Sequence, residues 1–443
     1  MTIPEDAPAA TPFGAAPAIT TDTLRELTPT EAFRQSVKRP RGFTFFLVLA
    51  MVGAAAAQMS AALLTLALKA TEIDAATATT TISISSAVAG ILTLFALPIV
   101  GTLSDRTRSR FGRRRPYLVV GAIAFVLGAI LLVTAPNVPV FVAAHLLITT
   151  GFVAANVTVM ALLTDQLPAD QRGVATALVS MSTPIGALFG MAVAVPFGQQ
   201  LLPLVGIPTA LAVIGMLVLA VVVRDPKWEF PQPPFDLRAA LRVFWVNPLK
   251  HSAFTWVFTS RMLVFSGVAA LNGYQAIYLL QKLHMEPAGL GTAILLTVVV
   301  NLGITMLVAP LVGKLSDRLG VRKPFILVAA VILAVGLVLA SLAPDFGFYL
   351  VACTVVGLGQ GVYFAVELVL ATQVLPDPDN PAKDLGILKI ADNLPVTIVA
   401  AAAPALLAIG AGPAGPNFAA LFIAGAIAAV IGGLVILFVR GAR

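Results

Sequence analysis

The stretch SDRTRSRFGRRRP, from Ser104 to Pro116, places six arginines within ten residues. On both sides of it lie long runs of Val, Leu, Ile, Ala and Gly that carry no charge. An apolar segment of about 20 residues is long enough to cross the hydrocarbon core of a bilayer as a helix. The stretch is therefore expected to be a short connection between two membrane-spanning helices, held at the membrane surface by its charge.

The composition of the whole chain points the same way. Of its 443 residues 58% are hydrophobic and 11% are charged, and the mean hydropathy is +0.95. A soluble domain carries about a quarter charged residues, so a soluble globular fold is excluded. The single cysteine, Cys353, lies inside an apolar segment, so no disulfide framework is expected.

Twelve apolar spans can be drawn, and they are expected to be helices because lipid offers no partner for unpaired backbone groups. They cover residues 42–69, 80–103, 116–135, 138–163, 172–197, 202–223, 252–281, 289–312, 324–343, 346–373, 385–409 and 417–439. The predicted fold is an all-α membrane protein of two six-helix halves, 42–223 and 252–439. A disordered cytoplasmic tail, 1–41, a linker at 224–251 with a short amphipathic helix over 235–245, and a tail at 440–443 complete the predicted organisation.

The distribution of the basic residues predicts the orientation. When the connections are assigned alternately to the two sides of the membrane, 24 of the 28 Lys and Arg residues fall on one side, together with both termini. Cytoplasmic connections carry an excess of basic residues, so both termini are expected to be cytoplasmic. The net charge of +7 is then a signal of topology, with contacts to anionic lipid, and does not indicate a nucleic-acid partner.

The chain repeats itself internally. GTLSDR at 101–106 returns as GKLSDR at 313–318, an offset of 212 residues. The offset falls to 208 for Gly112 and Gly320 and for Pro116 and Pro324, so the first copy carries a four-residue insertion, TRSR or its neighbours. Parallel repeats of this kind are typical of secondary transporters, which bind substrate near the bilayer midplane between the halves.

These motifs carry a resemblance. G-x-L-S-D-R followed by G-x-R-[RK]-P, after spans two and eight, resembles the signature loop of the major facilitator superfamily. The longer first copy is similar to that of the glycoside–pentoside–hexuronide cation symporters and the related sucrose transporters. The resemblance covers about 400 residues of the 443 and implies a twelve-helix transporter whose spans one, four, seven and ten line a central cavity.

The resemblance also implies that the signature loops act as a cytoplasmic gate, because aspartate at a helix end can accept charge-assisted hydrogen bonds from neighbouring arginines. The predicted gate residues are Gly101, Asp105, Arg106, Arg113, Arg114 and Asp165 in the first half, and Gly313, Asp317, Arg318 and Arg322 in the second. Lys389 and Asp392, near the start of span eleven, are assigned to the same gate. The competing interpretation is that the arginines only set topology.

Ionisable residues within spans are costly and are therefore candidates for function. Arg261, Asn272 and Gln275 share one face of span seven, and Gln360, Tyr363 and Glu367 share one face of span ten. Arg261 and Glu367 lie at depths that allow them to pair, either as a proton-coupling site or as a static ion pair. His145 and Asn156 in span four and Gln58 in span one complete the predicted cavity, although each also suits helix packing.

The expected function is proton-coupled symport of a sugar or glycoside by a monomer in the plasma membrane. Spans one, two and four lack the acidic residues with which sodium-coupled members of the resembled group bind their cation. No Walker A motif or metal-ligand spacing is present, so neither ATP nor a cofactor is expected, and the proton is the predicted coupling ion. A proton-coupled efflux antiporter for drug-like or metabolic compounds and an uncoupled facilitator are the alternatives; nothing in the sequence favours an enzyme.

Overall fold

The computed structural model describes residues 40–225, 250–376, 381–412 and 415–439. Within them lie twelve helices that are long and apolar enough to cross a membrane. They are α1 Phe43–Ile73, α2 Ala78–Arg106, α3 Arg115–Thr134, α4 Val138–Gln166, α5 Gln171–Phe197, α6 Leu201–Val222, α7 Ser252–Gln281, α8 Pro287–Leu319, α9 Lys323–Ser341, α10 Phe346–Thr372, α11 Gly386–Ala408 and α12 Phe418–Phe438. Residues 1–39 of the predicted tail 1–41, the amphipathic helix at 235–245 and the tail at 440–443 lie outside the described residues.

The twelve predicted spans are confirmed, with one difference at the signature motifs. Helix α2 continues to Arg106 and α8 continues to Leu319, so the SDR of each motif belongs to the last helical turn and not to a loop. Each motif then turns at a glycine of positive φ, Gly112 at 94° and Gly320 at 65°, a backbone conformation that other residues adopt at a cost.

The internal repeat is visible as matched packing in the two halves. Helix α1 packs on α5 and α6 as α7 packs on α11 and α12, and α3 packs on α4 and α6 as α9 packs on α10 and α12. Between the halves, α2 packs on α11 and α5 on α8. The start of α3 is bonded to the end of α6 as the start of α9 is bonded to the end of α12. Arg115 Nε donates to Val223 O at 3.0 Å, and Lys323 Nζ donates to Val439 O at 2.5 Å.

An even number of crossings puts the first and last described residues on one side, which we call the termini face; the other side is the far face. At the far face the halves are in contact. The hydroxyls of Ser83 in α2 and Tyr274 in α7 are 2.6 Å apart, and Gln281 Nε2 donates to Ala75 O at 3.1 Å. Gly291 of α8 lies so close to Ala194 of α5 that an added Cβ would overlap it. The far side of the molecule is therefore closed.

Helix α1 is not regular throughout. A π-helical turn runs from Ala61 to Thr65; it contains Leu63 and follows Met59, and both side chains face the space between the halves. Such single turns of π-helix occur often at functional sites because they rotate the following side chains relative to a regular helix.

Candidate functional site

A cavity of about 360 Å³ lies between the two halves. Its walls come from α1, α5, α7, α8 and α10. The lining residues are Met59, Leu63, Thr183, Pro184, Ala187, Val268, Leu271, Asn272, Gln275, Thr297, Val298, Asn301, Leu302, Cys353, Gln360 and Phe364. The expectation that α4 lines the cavity beside α1, α7 and α10 is not met, because the lining includes no residue of α4 and draws on α5 and α8 in its place.

The polar part of this lining consists of amides and hydroxyls, and none of the lining side chains is charged. Thr297 Oγ1 lies 3.3 Å from Gln275 Oε1, which holds one end of the amide and leaves its NH₂ group available as a donor. Gln360 is only 8% exposed, and its amide makes no hydrogen bond with any described residue. The Gln360 amide lies in the cavity lining, so its donor and acceptor atoms are available to a polar ligand.

A buried charged cluster lies on the side of the cavity toward the termini face. Arg261 of α7 donates to Glu367 of α10 and, through Nε at 2.5 Å, to Asp392 of α11. The predicted pairing of Arg261 with Glu367 is thus confirmed. Asp392 and Lys389, assigned from the sequence to the gate, lie together in this cluster, with Lys389 Nζ 3.4 Å from Asp392 and its side chain 76% exposed.

The buried part of the cluster is unbalanced. Arg261 contributes one positive charge, whereas Glu367 and Asp392 contribute two negative charges when both are ionised. Glu367 Oε1 is buried and has no hydrogen-bond partner among the described residues. A buried carboxylate oxygen without a donor is the least stable element of such a group, and a proton would both neutralise and satisfy it.

Aromatic rings connect the cluster to the cavity. The guanidinium of Arg261 lies 5.3 Å from the ring centroid of Phe265, and the Phe265 ring lies 5.9 Å from that of Phe364, which lines the cavity. Tyr363, predicted to face the cavity, packs against Phe265 at 6.1 Å and is not part of the lining. A ligand that displaces Phe364 would therefore press on the side chain that holds Arg261.

The signature loop of the first half forms a second charged network at the termini face. Arg114 donates from three nitrogens to three acceptors, at 2.5 Å to Asp105, 2.8 Å to Ser104 and 2.9 Å to Asp165. Arg113 reaches the other oxygen of Asp165 at 2.8 Å. These contacts join α2, the loop and α4 within the first half, and the predicted participation of Asp165 is confirmed.

Asp225, at the start of the linker, is a member of this network that sequence analysis missed. Its carboxylate accepts from the backbone N–H groups of Arg114, at 2.6 Å, and Arg115, at 3.1 Å, and so caps the start of α3. Gly112 lies against it so closely that any Cβ would overlap. Burial raises the pKa of Asp225, and the two backbone donors and the neighbouring arginines only partly offset this.

The protonation of the arginines is set by the same packing. Burial lowers the pKa of Arg113, against the attraction of Asp165. For Arg114 burial acts in the same direction, but Asp165 and Asp105 outweigh it and raise its pKa. Both guanidinium groups stay charged, because arginine is not deprotonated in proteins.

The second half has a reduced version of the network. Asp317 and Arg322 pair at 3.1 Å, whereas Arg318 is exposed and contacts no acidic side chain in the described part of the chain. The position equivalent to Asp165 is Gln373 and that equivalent to Arg113 is Val321. At Gly101 and Gly313, both assigned to the gate, an added Cβ would make only ordinary contacts, with Val157 at 3.9 Å and with Ala365 O at 3.8 Å, so no close helix approach requires either glycine.

The remaining predicted residues lie away from the cavity. His145 is buried in α4, and its Nδ1 is 3.2 Å from the hydroxyl of Ser85 in α2, a helix-to-helix contact. Asn156 and Gln58 are half-buried and absent from the lining, as are Arg261 and Glu367 themselves. Arg106 lies in the last turn of α2 beside the first network. The contributions of Thr183, Thr297 and Phe364 were missed, and no charge or spacing singled them out.

Comparison with known proteins identifies the fold. A family model described as Major Facilitator Superfamily matches residues 42–311 and 257–443. The crystal structure of the nucleoside transporter NupG superposes with a TM-score of 0.68 at 12% identity, covering 90% of this chain and 100% of that one. That of a D-xylose-proton symporter gives 0.63 at 18% identity, covering 89% and 97%.

A closer sequence match is short. A segment of 47 residues is 55% identical to the Bacillus subtilis (strain 168) protein described as "Uncharacterized symporter YnaJ". The segment covers 11% of this chain and 10% of that protein. The family match, in contrast, spans both halves and agrees with the twelve helices and their repeated packing. The chain therefore belongs to the Major Facilitator Superfamily, as a multi-pass membrane transporter.

Proposed function

We propose that this transporter is a secondary active symporter that moves an uncharged, hydroxyl-rich solute, a sugar or glycoside, together with a proton by alternating access. The observation that carries the proposal is the position of an unbalanced buried charge cluster, Arg261, Glu367 and Asp392, next to a cavity lined by uncharged amides. The first supplies a place for a proton, and the second supplies a place for a neutral polar solute.

The cavity supports the substrate class by its chemistry. Its volume of about 360 Å³ lies at the lower end of the range of small-molecule sites, which is about 300–1,000 Å³. Asn272, Gln275, Asn301 and Gln360 offer donors and acceptors that match hydroxyl groups, and Phe364 offers an apolar face for C–H groups. The absence of charge from its lining disfavours anionic and cationic solutes, which would be buried there without a counter-ion.

The charge cluster supports coupling. When Glu367 is protonated, Arg261 is balanced by Asp392, and the buried part of the cluster is neutral. When Glu367 is ionised, the buried part carries one excess negative charge, which the exposed Lys389 offsets only weakly, because its contact with Asp392 is open to solvent. Because Phe265 lies between Arg261 and Phe364, solute in the cavity and the proton on Glu367 bias the same side chain. That is the requirement for a coupling free energy between two sites.

Two named relatives agree with the proposal without carrying it. One superposing structure is a D-xylose-proton symporter, and the short sequence match is to a protein described as a symporter. We also propose that the termini face is cytoplasmic, on the strength of the basic residues gathered there, and that the protein acts as a monomer in the plasma membrane.

Uptake of labelled sugars into proteoliposomes, with and without an inward proton gradient, tests the proposal. We expect accumulation above equilibrium only with the gradient. Glu367→Gln should abolish accumulation and retain exchange of labelled for unlabelled solute, because the cavity is unaltered. Glu286→Gln is the matched control, since Glu286 is exposed at the far face, and it should behave as wild type.

Three results would contradict the proposal in distinguishable ways. Full accumulation by Glu367→Gln would remove Glu367 from coupling. Equilibration without accumulation in the wild type would indicate a facilitator. Uptake of nucleosides but no sugar would overturn the substrate class, and the absence of any uptake by folded protein would favour the efflux antiporter.

A further inference from the structure

The six arginines of the stretch from Ser104 to Pro116 make different contacts in the structure. Arg113 and Arg114 bind acidic side chains, and Arg115 binds the backbone carbonyl of Val223. Arg108 and Arg110 are exposed and form no hydrogen bond or ion pair with any other described residue. Two of the six cations therefore have no anionic partner within the part of the protein that the structure describes.

These two cations are those of the insertion that distinguishes the repeats. TRSR occupies residues 107–110 of the first half and has no counterpart in the second. The insertion is nevertheless ordered. The Thr107 hydroxyl lies 2.9 Å from that of Tyr117, and Ser109 accepts from the backbone N–H of Phe111 at 3.1 Å through its hydroxyl. A loop held in this way presents Arg108 and Arg110 outward instead of folding them back.

An exposed aromatic side chain lies beside one of these cations. Phe111 is 58% exposed, and the guanidinium of Arg110 lies 4.8 Å from its ring centroid. Leu103, one turn before the end of α2, and Val119 and Val120, one turn into α3, are exposed on the apolar belt of the molecule. One helical turn is about 5.4 Å, so the arginines lie about one turn beyond exposed apolar residues of both flanking helices.

We propose that Arg108, Arg110 and Phe111 form a binding site for the headgroup of an acidic phospholipid. The two guanidinium groups provide the fork of donors that a phosphate oxygen requires, and Phe111 anchors the loop in the acyl-chain boundary. Leu103, Val119 and Val120, exposed on the adjoining ends of α2 and α3, favour a lipid over a free phosphate, because only a lipid covers both charged and apolar surface.

The site is independent of the proposed transport of a sugar. It lies in the same connection as Arg113 and Arg114, so a bound headgroup would neutralise charge next to the network that joins α2 to α4. Without a counter-ion, six arginines within ten residues repel one another, and no acidic side chain in the described part of the chain contacts Arg108 or Arg110. Acidic lipid would thus complete the charge balance of the first-half network.

Native mass spectrometry of the full-length protein, purified in detergent containing equal amounts of phosphatidylglycerol and phosphatidylcholine, tests the site. We expect the wild type to retain phosphatidylglycerol preferentially. Arg108→Gln combined with Arg110→Gln should lower that preference by about fivefold for each arginine removed, at low salt. Arg318→Gln is the matched control, because Arg318 is an equally exposed arginine of the second-half motif without the insertion, and its preference should equal that of wild type.

A second measurement keeps the test valid if the double variant fails to insert. Phe111→Trp, examined by fluorescence in liposomes, should be quenched more strongly by brominated phosphatidylglycerol than by brominated phosphatidylcholine. Equal quenching, an unchanged preference in the double variant or an equal loss in Arg318→Gln would overturn the site. Displacement of the lipid by millimolar inorganic phosphate would also overturn it, since a free anion would then be the ligand.

Discussion

Replacing Arg114 by lysine separates the two interpretations of the arginine-rich stretch. The positive charge stays in place, so the orientation of the protein in the membrane should not change. The geometry is lost, because Arg114 uses three nitrogens to reach Asp105, Ser104 and Asp165, whereas a lysine ammonium is a compact charge that cannot span these acceptors. A role in topology predicts no effect, and a structural role predicts destabilisation.

The size of the effect follows from the burial of each partner. A lysine that keeps the most buried acid, Asp165, leaves the Ser104 hydroxyl without its donor, at a cost of about 1–2 kcal/mol. The lost contact with Asp105 adds less than about 1 kcal/mol, because the Asp105 side chain is 60% exposed. Together the variant should lose about 2 kcal/mol, which corresponds to a melting temperature lower by about 4–8 °C for a cooperative unit of 150–250 residues.

The assay is the fraction of monodisperse protein that survives heating in detergent, followed by size-exclusion chromatography. Arg108→Lys is the control for the same chemical change at a position where the structure shows no acidic partner, and we expect it to melt as wild type does. If Arg114→Lys and Arg108→Lys melted within about 1 °C of each other, the three hydrogen bonds of Arg114 would contribute nothing measurable, and the topological interpretation would stand alone.

Three further predictions use the same thermal assay or a probe of conformation. Gly112→Ala should destabilise the protein, because the Gly112 φ of 94° and its contact with Asp225 leave no room for a Cβ. Gly173→Ala, where an added Cβ would meet no atom within 4 Å, should be neutral or stabilising by up to about 1 kcal/mol. Equal melting temperatures of the two variants would contradict this prediction. Asp225→Asn should become less stable relative to wild type as the pH falls. Burial raises the pKa of Asp225, so the contribution of this side chain to stability is greatest at acidic pH and is lost as the pH rises through that raised pKa. A stability difference independent of pH would show that burial does not shift the pKa of this carboxyl. Tyr274→Phe removes the hydrogen bond to Ser83 and should shift the population toward a state open at the far face by about fivefold. Spin-label distances across that face measure the shift. An unchanged distance distribution would show that this bond does not stabilise the closed state.

The fold could be predicted almost completely, because it rests on a strong physical constraint. A chain with 58% hydrophobic residues must pair its backbone groups internally in lipid, so hydropathy alone located twelve helices. The repeated motif then predicted which helices correspond between the halves, and the packing agrees. The helix ends at Arg106 and Leu319 were missed because charged residues there lowered the hydropathy without ending the helix.

The candidate site was predicted less well, because hydropathy gives the depth of a residue but not the rotation of its helix. Arg261 and Glu367 were paired correctly from depth, since few other charges lay at that level. Asp392 has a similar depth and was assigned to the gate, because nothing in the sequence shows that α11 turns it toward Arg261. The walls contributed by α5 and α8 carry neutral residues, such as Thr183 and Asn301, that have no distinctive pattern.

The two halves share a fold but divide the charged residues differently. In the first half the buried charges brace the termini-face ends of α2, α3 and α4, through Asp165, Asp225 and the arginines between them. In the second half Gln373 stands where Asp165 stands in the first, and buried charge is concentrated at Arg261 and Glu367. The first half is therefore suited to act as a rigid frame, and the second carries the group that can change charge. Variants of the frame should lower stability before they alter coupling, whereas variants of Glu367 should alter coupling while the protein remains folded.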